Sequence, residues 1–189
     1  MKKSVLQTLF VVLAVLLGFS VTSCNDDYEV IPVKLEDVNG SYKAKLVTTQ
    51  GNKRAEKIVD FTAKDTVITF REFPIREIVK SVVTDPVKAE AALTAIGKIE
   101  YKLDYTPKLH ANNNVVELTF APETLEFQIP VDGTNKNVAV DLDAKQKGFY
   151  VGQDWSLRFG LVAEKITVDG VVLAPFETIK YDFPYCIKN

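Results

Sequence analysis

Six stretches of this chain alternate apolar and polar residues with a period of two, and that habit restricts the fold more than any other feature. In Ser41 to Val47, Tyr42, Ala44 and Leu46 share one face while Lys43 and Lys45 take the other. Ile99, Tyr101, Leu103 and Tyr105 oppose Glu100, Lys102 and Asp104; Trp155, Leu157, Phe159 and Leu161 oppose Ser156 and Arg158. Val116 to Phe120, Leu125 to Val131 and Ile179 to Ile187 repeat the pattern. Successive side chains of a strand point to opposite faces, so this alternation marks antiparallel sheet with one face in water. Turn signals separate the runs: Asn39-Gly40, Gln50-Gly51-Asn52, His110 to Asn114, Asp132 to Asn137 and the hairpin dipeptide Asp169-Gly170. The expectation is an all-β fold, mainly antiparallel, a sandwich or barrel of about nine or ten strands.

One stretch breaks the rhythm. Ile75, Ile78, Val79 and Val82 fall on one helical face. Asp85-Pro86 then offers an N-cap and a first-turn proline, and Ala89, Leu93 and Ile96 make a stripe that Gly97 can stop. A short helical insertion near residues 74–96 is expected, covering an open end or a face of the sheet.

The N-terminus reads as a leader. Lys2 and Lys3 precede the apolar run Leu9 to Phe19, and Ser20-Val21-Thr22-Ser23 lead into Cys24. That run is shorter than the roughly 20 apolar residues a spanning helix needs. The arrangement resembles a bacterial lipoprotein lipobox, which implies a diacylglycerol on Cys24 after cleavage. Two acyl chains give stable attachment where one gives only marginal binding. Asn25-Asp26-Asp27-Tyr28-Glu29 resembles the acidic signal that sends many Bacteroidetes lipoproteins to the outer face of the outer membrane. The expected organisation is therefore a leader at 1–23, a lipidated flexible tether at 24–36 and one antiparallel β domain at 37–189. The expected address is the outer membrane, surface-exposed, with its periplasmic face as the alternative.

Charge narrows the partners. The chain has 23 basic residues, and losing Lys2 and Lys3 leaves 21 against 25 acids. A mildly acidic chain lacks the basic face that neutralises phosphates, so nucleic acid is not an expected partner. With Cys24 lipidated, Cys186 is the only other cysteine, and no internal disulfide can form. Nothing beside it would lower its pKa, and it reads as a small buried hydrophobe.

No catalytic signature stands out, and no cofactor or metal is expected. His110 is the only histidine and lies in a polar turn. Glu117, Asp141 and Asp143 fall on outward strand positions, where solvated charge is the plain reading; a carboxylate-dependent glycan hydrolase would need two acids facing one cleft. The aromatics are the better binding candidates. Tyr101, Tyr105, Trp155, Tyr181 and Tyr185 recur on apolar faces and either line a ligand cavity or fill the core. Asp65-Thr66-Val67 resembles an O-glycan acceptor sequence of Bacteroidetes, which implies Thr66 as a glycosylation site; an Asp-initiated turn explains it equally.

The lipobox, Val38-Asn39-Gly40-Ser41-Tyr42-Lys43, Val67 to Ile75 and Ile96 to Tyr101 together resemble uncharacterised lipoproteins of gut Bacteroides that carry a domain of unknown function. The strand after Gly40 is also similar to the opening of calycin-like β-barrel lipoproteins, although Pro74 to Ile96 interrupts that pattern. Neither resemblance implies catalytic residues. The function expected is a non-enzymatic, membrane-anchored binding module for a small apolar ligand, a glycan or an envelope protein. The alternatives are the hydrolase and a structural or inhibitory interaction module.

Overall fold

Eleven strands follow one another antiparallel: β1 (Gly40–Gln50), β2 (Lys53–Lys64), β3 (Val67–Phe70), β4 (Tyr101–His110), β5 (Val115–Pro122), β6 (Leu125–Val131), β7 (Thr134–Asp143), β8 (Gly148–Val151), β9 (Ser156–Val168), β10 (Val171–Val172) and β11 (Ile179–Lys188). The computed structural model describes residues 31–189. The expected leader, Cys24 and the first part of the tether lie outside the described residues.

Register reduces these strands to a simple plan. Leu118 pairs with Gly148 and Leu125 with Val140, so seven positions on one side face eight on the other. β5 and β6 therefore act as one bent strand running against β7 and β8, around the turn Asp132-Gly133. Both β8 and β7 then pair with β9, through Phe149↔Arg158 and Asp143↔Val162. Counted this way the wall is an eight-stranded meander, closed where β11 pairs with both β9 and β1. Of the two architectures expected, the chain adopts the barrel. β6, β7 and the end of β9 rise beyond the closed wall, and β10 turns back on β9 through Asp169-Gly170.

The helical insertion forms where its caps place it. α1 spans Arg76–Val82 and α2 Pro86–Ile96. Asp85 Oδ1 accepts the Val87 N–H at 2.8 Å and the Lys88 N–H at 3.0 Å, satisfying two donors that a helix start leaves free. Gly97, at φ +71°, ends α2 in a conformation that costs a residue with a side chain. Gln50 Nε2 donates to Ser81 Oγ at 2.9 Å, which fixes α1 at the upper end of the barrel, and α2 packs on β6. Ile78, Val79, Ala89 and Ala92 are the side chains they bury.

The lower end is closed by the chain leading into β1. Val33, ahead of a 3-10 turn at Leu35–Val38, and Val38, its last residue, are buried. The Val33 N–H donates to Asn114 Oδ1 at 2.6 Å, and Tyr42 Oη donates to the Val38 carbonyl at 2.6 Å. Among the described residues Val33, within the stretch read as a tether, and Val38 are buried and plug the barrel mouth.

Between the ends the barrel is filled with rings. Phe159 stacks on Phe183 with centroids 4.4 Å apart, Tyr42 on Phe61 at 5.1 Å, and Phe70 lies 5.5 Å from Phe183. Phe73 continues the column toward α1, 4.9 Å from Tyr101 and 5.4 Å from Tyr181. An eight-stranded barrel has an interior that side chains can just fill, and here they do.

The Asp65-Thr66 turn joins β2 to β3 with φ of 51° and 65°. A left-handed β-branched residue is strained, whereas glycine adopts that conformation freely. Thr66→Gly is expected to stabilise the protein by about 1 kcal/mol, read as a higher urea midpoint with unchanged slope. An unchanged or lower midpoint would contradict the strain. Among the described residues no helix is long and apolar enough to cross a membrane, and no group of three or more His, Cys, Asp or Glu could hold a metal ion.

Candidate functional site

Burial divides the five aromatic candidates. Tyr101, Tyr105 and Tyr181 point into the filled barrel, while Trp155 and Tyr185 stand 56% and 40% exposed outside it. Two local events cause the split. Trp155 has φ +55° and closes the β8–β9 turn, so it leaves the face that Leu157, Phe159 and Leu161 share. In β11 a bulge between Phe183 and Cys186 inserts an extra residue and reverses the parity that follows. Tyr185 and Ile187 turn outward and Cys186 turns in, so the face read as Ile179 to Ile187 holds only as far as Phe183. Tyr101 Oη donates to the Glu123 carbonyl at 2.9 Å; Tyr181 Oη is buried without a partner among the described residues. Thr66 lies exposed in its turn.

The outer wall carries what the interior lacks. A groove of about 740 Å3 lies where β1, β11 and β9 meet the link between β7 and β8. From Asp143 to Phe149 is six positions, but the partners Val162 to Arg158 are only four apart. The two surplus residues push the link outward and set Lys145 and Lys147 on the groove's rim. Across its floor Val47 pairs with Asp182 and Asp182 with Gly160, and the next row runs Thr49, Lys180, Val162. Gly160 keeps this floor low: a Cβ there would stand 3.3 Å from Asp182 Oδ1. Phe149 and Pro184 add apolar surface.

Five cations line the groove: Arg54, Lys145, Lys147, Arg158 and Lys180. Four are held by carboxylates. Arg54 Nη2 is 2.8 Å from Glu56 Oε1, Lys145 Nζ is 2.7 Å from Asp143 Oδ2, and Lys147 Nζ is 2.5 Å from Glu117 Oε1. Arg158 pairs with Asp154 and lies over the Tyr185 ring, 5.8 Å from its centroid. Among the described residues no carboxylate stands within 4.0 Å of Lys180 Nζ. The hydrogen bonds with Asp143 and then Glu164 push Lys145 up to about 12. Lys147 in turn holds the Glu117 carboxyl below its ordinary range.

The acids singled out in the sequence are bound to lysines on the outer surface. Asp141 pairs with Lys165 at 2.5 Å, and Asp143 and Glu117 pair as above. His110 Nε2 approaches Glu117 Oε2 at 3.6 Å, beyond hydrogen-bonding distance, and has no other partner among the described residues. Among the described residues Asp182 is the one carboxylate lining the groove. The groove itself was not legible in the sequence. Its one precursor signal was a surplus of residues between two strands, visible only once register is known.

A family profile matches residues 37–168, from the turn beneath β1 to the end of β9. It stops short of β11, the strand that closes the barrel. No curated protein and no solved structure matches the chain. By the match over these residues, the chain belongs to the family described as Domain of unknown function (DUF4840).

Proposed function

We propose that this protein is a non-enzymatic binding module, held on the outer face of the outer membrane by diacylglycerol on Cys24, that takes an acidic glycan on its outer wall. The observation that carries the reading is the ring-filled barrel interior beside an external groove with cations on its rim and a floor that mixes Val47 and Val162 with Thr49, Lys180 and Asp182. A volume of about 740 Å3 falls within the range of ordinary ligand sites. Sugar C–H faces pack on apolar side chains such as Val47, Val162 and Phe149, and carboxylates of the glycan meet Lys180 and the rim. The pairs of Arg54 with Glu56 and of Lys145 with Asp143 and Glu164 are exposed on both sides and contribute little, about 0–1 kcal/mol, so these two cations can exchange their present partners for a ligand at small cost.

The filled interior disfavours a small apolar ligand inside the barrel. A single lining carboxylate suits binding better than two-acid hydrolysis. The interaction-module reading has one observation of its own, the exposed outer side chains Ile58, Tyr185 and Phe149. Ile58 and Tyr185 face each other across Lys45, while Phe149 lies opposite Arg158.

The test is calorimetric titration with oligogalacturonate. Lys180→Glu is expected to weaken binding by about tenfold or more, and added salt to weaken the unmodified protein's binding. Equal affinity for neutral and acidic oligosaccharides, or an unaffected Lys180→Glu variant, would overturn the reading.

A further inference from the structure

The lower end of the barrel carries apolar side chains that nothing among the described residues covers. Ile31 is 74% exposed, Leu35 44%, Leu109 42%, Trp155 56% and Ile187 51%. They come from five separate segments that converge on this end: the lead-in chain, the 3-10 turn, the end of β4, the β8–β9 turn and the end of β11. Single exposed apolar residues are ordinary on soluble proteins, whereas a collection from five segments at one end is a surface. The exposed lysines Lys34, Lys43 and Lys108 stand among them.

We propose that this rim rests in the headgroup region of the lipid bilayer to which the chain is tethered, with Trp155 entering it. The inference depends on the lipid at Cys24 proposed above. What selects a bilayer as the occupant is where the described chain begins. Asn114 Nδ2 donates to the Ile31 carbonyl at 3.3 Å, so Ile31 is fixed at this rim beside the β4–β5 turn. From Cys24 to Ile31 is seven steps, at most about 25 Å of extended chain. The other apolar tip, Val171 and Val172, lies at the far end of β9, a strand of 13 residues and about 40 Å. A lipid on Cys24 therefore brings the lower rim to the membrane and leaves the upper tip in solution. Tryptophan at such a rim matches its preference for the membrane–water boundary, and lysine stems reach past the apolar ring to the headgroups. The rim orients the barrel; the acyl chains hold it.

Trp155 is the only tryptophan, so its fluorescence reports this rim alone. The lipidated protein is reconstituted into vesicles of phosphatidylethanolamine and phosphatidylglycerol, with and without brominated acyl chains. Bromine is expected to quench Trp155 by about twofold, and Ile31→Ser with Leu35→Ser to remove most of that quenching. Val171→Ser with Val172→Ser is expected to leave it unchanged. Protein that floats with the vesicles yet shows equal emission in both would overturn the proposal alone, as would quenching abolished by the upper-tip pair. Protein that fails to float would overturn the lipid anchor and this proposal together.

Discussion

Phe183→Ala is expected to lower stability by about 3–5 kcal/mol, the range for deleting a large side chain from a packed core. For a domain of this size that corresponds to a fall in Tm of roughly 10 °C. Phe183 is fully buried, stacks on Phe159 at an interplanar angle of 9°, and touches the rings of Phe61 and Phe70. Removing it opens a hole among rings that cannot collapse inward, because each is fixed to a strand of a closed wall. Phe149→Ala, on the outer wall at 40% exposure, is expected to cost about 1 kcal/mol or less. Urea denaturation of the two variants measures the contrast. A Phe183→Ala protein as stable as Phe149→Ala would mean that the interior is loosely filled and open to a ligand.

The second large effect is alkaline unfolding. Of seven tyrosines, burial raises the phenols of Tyr42, Tyr101, Tyr105, Tyr150 and Tyr181, with nearby charges adding to it. Tyr101 is pushed up to about 12, partly offset by its hydrogen bond to the Glu123 carbonyl. A raised folded-state pKa means that the unfolded chain loses its proton first. The stability these groups contribute is whole below the unfolded value near 10 and is lost as pH climbs toward 12. Tyr101 alone accounts for about 2 kcal/mol of that loss, and the other four tyrosines act in the same direction. Phenolate absorbance and circular dichroism are expected to change together in one transition above pH 10. The Cys186 thiol, also pushed up by burial, is expected to become reactive in the same step. Independent titration of these five tyrosines with native dichroism would contradict the buried assignments.

Alternation made the wall readable. Tyr42, Ala44 and Leu46 are buried while Lys43 and Lys45 are exposed, and Tyr101, Leu103 and Tyr105 follow the same rule on β4. The helix caps were equally plain, since Asp85-Pro86 and Gly97 act through local geometry that needs no partner. Closure was not readable, because whether β11 meets β9 depends on pairing between residues far apart in the chain. The site was harder still. It arises from departures from regularity: the bulge before Cys186, the surplus residues ahead of Gly148, and the left-handed turn at Trp155. Each departure moves side chains from one face to the other, and period-two reading assumes that none occurs. Trp155 and Tyr185 therefore leave the face that holds the core aromatics, and the cationic groove has no period-two signature.

The central claim is that the barrel is closed and filled, so that ligand is met on its outside. Amide chemical shifts of the isotope-labelled protein, followed during titration with oligogalacturonate, test it most directly. The expected result is saturable movement at Gly160, Val162, Lys180 and Asp182, with Tyr42, Phe61 and Phe70 unmoved. Movement centred on those interior rings, with the groove amides still, would contradict it.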